Sequence, residues 1–429
     1  MRAEVICTAA VAWLCLAGEA AAQRAFPFHI DTSGEATADL TMSCPEGDWA
    51  REGSEAAMAD VRVDGQVPFQ VMLYAGPERR TYRVFLGRLE AGDHRLTIER
   101  NGDFSARGTT VAVADVKVRG GSSDDVLLHA PVLYARKNTI GKYTDVPMVV
   151  YAERLEENGS PVLQYTVIFT NEDGGTSTRG LMARWGRTTD IEYVYRLDVK
   201  TGKAIIQTRD HKDVEFDGRR EGGHPLLIPV TDNNMVAGEV PSAVRYQIAP
   251  VLVDLKDHSR EQVMDDDPVM YRVAAKELER EKKLRAFGTV DAQKISDPRN
   301  YAVVEARVAV RTAGVVTMFR RKDEAVWRMS TIGRMDYSVD RSGWIRTTVE
   351  LPPGTKPADI AEVGFSCAVM PDATTKRLAD TGSCRVDAVS KVFFLDEEYR
   401  PGASFWSRAE AFDVPPGLVR VFGVSAERR

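Results

Sequence analysis

Residues 190–199 read DIEYVYRLDV, and this stretch decides the class of fold. Ile191, Tyr193, Tyr195, Leu197 and Val199 fall on one face of an extended chain, and Asp190, Glu192, Val194, Arg196 and Asp198 fall on the other. Period two, rich in β-branched and aromatic residues, is a strand signal. The pattern recurs outward from there. Residues 81–100, TYRVFLGRLEAGDHRLTIER, read as two alternating strands about a turn at Ala91-Gly92-Asp93. Val61-Arg62-Val63 runs into the hairpin pair Asp64-Gly65. Val303, Glu305, Arg307, Ala309 and Arg311 alternate with Val304, Ala306, Val308 and Val310, and Leu351-Pro352-Pro353-Gly354 marks a turn. One stretch departs. Asp267-Pro268 reads as an N-cap followed by a first-turn proline, and Val269, Val273 and Leu278 recur at near-helical spacing before Gly288. The sequence therefore predicts a mainly β, multidomain chain of β-sandwich or jelly-roll-like domains, with one clear helix near 267–287. The acidic run Asp265-Asp266-Asp267 then needs no ligand, because carboxylates favour a helix N-terminus.

The 429 residues carry 57 Lys+Arg against 63 Asp+Glu, a formal net charge of −6. That balance argues against a nucleic-acid partner or an anionic membrane held through overall charge. Arg2, an apolar run from Val5 to Gly18, and Ala20-Ala21-Ala22 describe a signal peptide over 1–22, cleaved before Gln23. That run falls short of the roughly 20 apolar residues that span a bilayer, and no later stretch reaches it, so no transmembrane segment is expected. The expected location is secreted or periplasmic. Polar breaks at Arg119–Asp125 and Gly288–Asn300 divide the rest into an N-terminal β-sandwich (23–119), a central β-rich domain ending in the helix (120–290) and a C-terminal β-sandwich (291–429). Export favours disulfides, and Cys367 and Cys384 flank a polar segment between apolar runs, so they are expected to pair across a hairpin-like loop. Cys44 is the odd one and reads as a buried small hydrophobe.

Candidate chemistry concentrates between His129 and His224. Asp190 and Glu192 share a strand face, about 7 Å apart along the backbone. That suits the roughly 5–10 Å between the carboxylates that act on a glycosidic bond. The same pair, with Asp173 from the polar turn Asn171-Glu172-Asp173-Gly174-Gly175, is a candidate set for a divalent cation such as calcium. A solvated strand surface explains it too. His211 and His224 are candidate proton-transfer residues, and the glycines before His224 allow close approach to a ligand. Arg184, Trp185 and Arg187 put planar donors beside an aromatic, suited to a sugar or a carboxylated ligand. Asp232 and Asn233 complete the candidate substrate-binding set. Trp49, Trp327, Trp344 and Trp406 read either as sugar platforms or as core. The motifs of α/β serine hydrolases, P-loop NTPases, thermolysin-like proteases and Rossmann dehydrogenases are missing.

Taken in order, "HAPVLY" (129–134), "GRTTDIEYVYRLDVKTGKAI" (186–205), Asp210-His211 and "GHPLLIPV" (223–230) give residues 125–235 a pattern. That pattern resembles the vacuolar-protein-sorting sixty-two-like family. Asp190 and Glu192 fall on that family's Asp and Glu, while its Gly and Trp are Thr189 and Ile191 here. The resemblance implies a β-rich fold with a polar cluster. The flanking segments look like accessory sandwiches of secreted carbohydrate-active proteins. Two functions stand side by side. One is a secreted carbohydrate-active protein, a glycoside hydrolase working on a polysaccharide through Asp190 and Glu192. The other is a non-enzymatic exported protein that binds a glycan or a partner.

Overall fold

The computed structural model describes residues 24–172, 174–238, 242–370 and 382–424; the predicted leader and Asp173 lie outside them. The chain is mainly β, built of antiparallel-rich sheets with few short helices. Near the N-terminus, one sheet orders strands Arg24–Ile30, Gly92–Arg100, Met58–Val63 and Phe69–Met72. A second orders Arg80–Leu89, Gly34–Ser43 and Ala112–Ser122. Arg119–Ser122 therefore completes a strand instead of forming a linker, with Thr37 opposite Arg119 and Glu35 opposite Ser122. Its glycines serve close packing: a Cβ on Gly120 would lie 2.2 Å from Ile30 Cδ1. Asp124 then caps the helical turn Asp125–Leu128.

DIEYVYRLD forms the strand Asp190–Asp198, third in a six-stranded sheet with Lys212–Glu215, Ala204–Thr208, Ser160–Phe169, Pro147–Glu157 and Val251–Leu252. Its alternation breaks once. The register slips between the pairs Tyr165/Tyr195 and Thr166/Tyr193, so Val194 and Tyr195 are both buried. A smaller sheet carries His224–Pro229 beside Val132–Tyr134. One continuous core joins these sheets to the N-terminal ones, from Ile30 and Trp49 through Tyr151 and Tyr195 to Met270.

The predicted helix is two: Gln262–Asp266 and Val269–Arg280. It ends short of Gly288 because Lys282 turns to a φ of 57°. Asp267 does not cap it. Its carboxylate is bound by the Arg80 guanidinium, and Asp265 is bound by Arg346 and Lys391. The acidic run thus ties elements together instead of decorating a helix start. Trp49 is core: its ring is fully buried, its N–H donates to Glu277 Oε2 at 3.0 Å, and Arg280 lies 5.0 Å over it.

Two further sheets make the C-terminal part. One orders Gly343–Glu350, Tyr301–Arg311, Ser383–Phe393 and Trp406–Arg408; the other orders Trp327–Met329, Ala313–Arg321, Ile360–Val369 and Val419–Gly423. Val304, Ile345, Phe365 and Val386 pack between them. The Cys367–Cys384 disulfide is present, with Cα atoms 5.6 Å apart, and it bridges the two sheets. Cys44 is fully buried, which pushes its thiol up. Among the described residues no helix is long and apolar enough to cross a membrane.

Candidate functional site

Asp190 opens its strand with 1% of its surface exposed. Its Oδ2 accepts from Asn234 Nδ2 at 3.0 Å, and the same amide donates to Asp145 Oδ1 at 3.1 Å. The Arg136 guanidinium spans Asp145 and Asp232. On the other side Arg187 donates to the Thr189 carbonyl and, at 3.1 Å, to Glu261; Arg260 donates to the Ile191 carbonyl at 2.9 Å. Asn233 lies 3.3 Å from His211 Nε2. The turn after strand His224–Pro229 thus brings Asn234 onto Asp190, links Asp232 to it through Arg136 and Asp145, and leaves Asn233 beside His211 on the outer edge.

Burial decides the charge state here. It lifts the Glu192 carboxyl to about 8, with the Asp190 charge adding to the push. It lifts Glu172 to about 7, again with Asp190 adding, and Asp190 itself is raised despite Arg187 and Asn234. Protons are therefore held in this cluster near neutral pH. The sign for stability follows. A carboxyl raised above its ordinary 4.5 stabilises the fold below that pH and costs stability as pH rises towards 8. One pKa unit is about 1.4 kcal/mol; with half the shift discounted for solvent near a half-buried side chain, the loss is about 2 kcal/mol. Urea denaturation of the native chain and Glu192→Gln at pH 5 and pH 8 measures it: the native chain should lose that much more than the variant. A pH-independent difference between the two would refute the assignment.

The Asn234 amide donates to both Asp190 and Asp145. Among the described residues no three His, Cys, Asp or Glu side chains group to hold a metal. Asp173 falls outside those residues. A cavity beside Asn171 and Glu172 measures about 10 Å³, on the scale of one water.

The other candidates lie elsewhere. Arg184 and Arg341 sit 4.5 and 5.0 Å over the Trp185 ring, and Arg184 pairs with Asp340 at 2.6 Å. The chain's own guanidiniums use that indole. His224 faces a different set: Nδ1 is 2.9 Å from the Ala130 carbonyl, Nε2 is 3.2 Å from Glu35 Oε2, and the ring stacks 4.5 Å from Phe85. Both ring nitrogens meet acceptors. Gly223 lies close to the backbone of Leu128, where a Cβ would stand 2.2 Å from the carbonyl oxygen.

Glu35 and His224 line a cleft of about 570 Å³, with Gln66, Arg88, Glu221 and Gln247 among its walls. Arg245 holds Glu221 through both terminal nitrogens and Gln247 at 3.1 Å. Glu35 carried no signal in the sequence, being one polar residue on an alternating strand. Arg260 and Glu261 carried none either.

No family model matches the chain. No curated protein matches it. A ruminal GH26 endo-beta-1,4-mannanase is similar over 33% of this chain and 30% of its own, at 11% identity and a TM-score of 0.19. The M60 catalytic domain with the CBM51-1 and CBM51-2 domains from Clostridium perfringens ZmpB is similar over 84% of this chain and 33% of its own, at 10% identity and a TM-score of 0.16. The chain thus spans about a third of the length of each, and likenesses this shallow carry no argument about its activity.

Proposed function

We propose that the chain is an exported carbohydrate-active protein that holds a glycan in the Glu35–His224 cleft. The observation that carries this is the cleft's lining: carboxylate, amide and guanidinium groups on Glu35, Gln66, Arg88, Glu221 and Gln247, set among the apolar Phe69, Phe85 and Val67. Planar polar groups match the paired donors and acceptors of vicinal hydroxyls, and the volume lies within the roughly 300–1,000 Å³ of ligand sites. The Cys367–Cys384 disulfide supports an oxidising destination, in keeping with the leader pattern at 1–22. Titration of the purified protein against a panel of neutral and charged oligosaccharides, followed by NMR, tests the reading. At least one should bind, and Gln66→Ala and Arg88→Ala, both at exposed positions, should each weaken it by about tenfold or less. A panel without a binder, or variants that bind as well as the native chain, would sink it.

A second reading rests on Glu192. A carboxyl still protonated near neutral pH is what a general acid on a glycosidic bond requires, with Asp190 as its partner. Turnover of a polysaccharide that survives Glu192→Gln would remove that role.

A further inference from the structure

The strands that wall the Glu35–His224 cleft border a second cavity, of about 320 Å³, that neither reading above uses. Period two divides the residues between them. Arg245 and Gln247 line the cleft, and Tyr246 and Ile248 line the cavity. From strand Arg80–Leu89, Phe85 goes to the cleft, and Tyr82 and Val84 go to the cavity. Met72, Tyr74, Pro147 and Met148 complete a mostly apolar wall. Tyr74 and Tyr82 meet edge to face, with ring centres 5.4 Å apart. Aromatic faces and thioethers favour another ring as their neighbour.

The charged groups of this lining are already matched. Arg80 donates through both terminal nitrogens to the two oxygens of Asp267, and through Nε to the Tyr74 hydroxyl at 3.1 Å. Arg83 donates to Asp39 at 3.0 Å. A carboxylate or an ammonium ion entering here would meet no free counter-charge. One polar group is unmatched. Tyr246 is 4% exposed, yet its hydroxyl makes no hydrogen bond among the described residues. That oxygen is not sealed in the core, and the ring that carries it lines the cavity. Burial pushes the phenol up, so it keeps its proton and offers one donor and two lone pairs. Hydroxyls this deeply placed are ordinarily paired.

We infer that this cavity binds an uncharged aromatic molecule of one or two rings, with an oxygen on the ring hydrogen-bonded to the Tyr246 hydroxyl. The volume suits such a ligand, since an apolar cavity of about 150 Å³ holds benzene. The site does not depend on ligand binding in the Glu35–His224 cleft. The test titrates the full chain with naphthol and, as the charged counterpart, with naphthoate, followed by ligand-observed NMR. Naphthol should bind with a Kd below about 1 mM, and naphthoate about tenfold more weakly or not at all. Tyr246→Phe keeps the ring and removes the hydroxyl, and should weaken naphthol about fivefold. Val251 lines the cavity from the strand Val251–Leu252 and is 43% exposed, so Val251→Trp should fold and block entry. Gln66→Ala, in the cleft, should leave naphthol binding unchanged. Four outcomes overturn the inference. They are a naphthol Kd above about 1 mM, naphthoate bound as tightly as naphthol, native-like binding by Tyr246→Phe or Val251→Trp, and weakened binding by Gln66→Ala.

Discussion

Replacing Arg346 by alanine is expected to destabilise the chain by about 3–5 kcal/mol. Arg346 is fully buried on strand Gly343–Glu350. Its Nε and Nη2 donate to Glu305 Oε2 at 3.0 and 2.9 Å, and its Nη1 and Nη2 reach Asp265 at 2.8 and 2.5 Å. Ser259 and Ser390 donate to Glu305, and Lys391 shares Asp265. Burial alone would raise both carboxyls. The Arg346 charge, with help from Lys391, overcomes that and holds each below its ordinary value. Alanine would strand two carboxylates in a low-dielectric site, and at least one would take up a proton. Denaturant unfolding measures the loss. Arg346→Met combined with Glu305→Gln and Asp265→Asn should recover much of it, because the penalty lies in unpaired charge and not in lost volume. A single-variant loss under about 1 kcal/mol would show that solvent reaches the site.

Reducing the Cys367–Cys384 bond, or substituting both residues by serine, is expected to cost about 2–4 kcal/mol. The cysteines are 17 residues apart, and each is at most 5% exposed. Closing a loop of that length restricts the unfolded chain, and here the link also joins the two C-terminal sheets. Guanidinium unfolding with and without reductant should show a lower midpoint on reduction. Superimposable curves would refute the contribution.

Strands were legible wherever one face is buried. Arg80–Leu89, Gly92–Arg100, Asp190–Asp198 and Tyr301–Arg311 all follow runs of period two. Errors arose where a distant residue overrides the local pattern. Gly120 looks flexible until Ile30 is seen filling its missing side chain. Glu305 sits among arginines on an alternating strand, yet it is fully buried because Arg346, 41 residues away, arrives opposite. Asp267 has the spacing of a cap, but Arg80 claims it. The candidate site divides in the same way. Asp190 and the turn Asp232-Asn233-Asn234 announce themselves as polar residues beside apolar strands. Asp145 and Arg136 come from the loop after Val132–Tyr134, Arg260 and Glu261 from the start of the helix Gln262–Asp266, and no motif joins the two pairs. His211 and His224, thirteen apart, part company: one is exposed beside Asn233, and the other pairs with Glu35, 189 residues earlier.

The seam between Trp49 and the helix Val269–Arg280 also sets a timetable. Trp49 donates to Glu277, 228 residues later, and Arg280 donates to the carbonyls of Trp49 and Tyr143. At about 5–20 residues per second, the ribosome delivers that helix roughly 10–45 s after Trp49. Until then the first sheets lack part of their own interior. A nascent chain in that interval is incompletely folded, and its exposed apolar surface is open to chaperones or to aggregation.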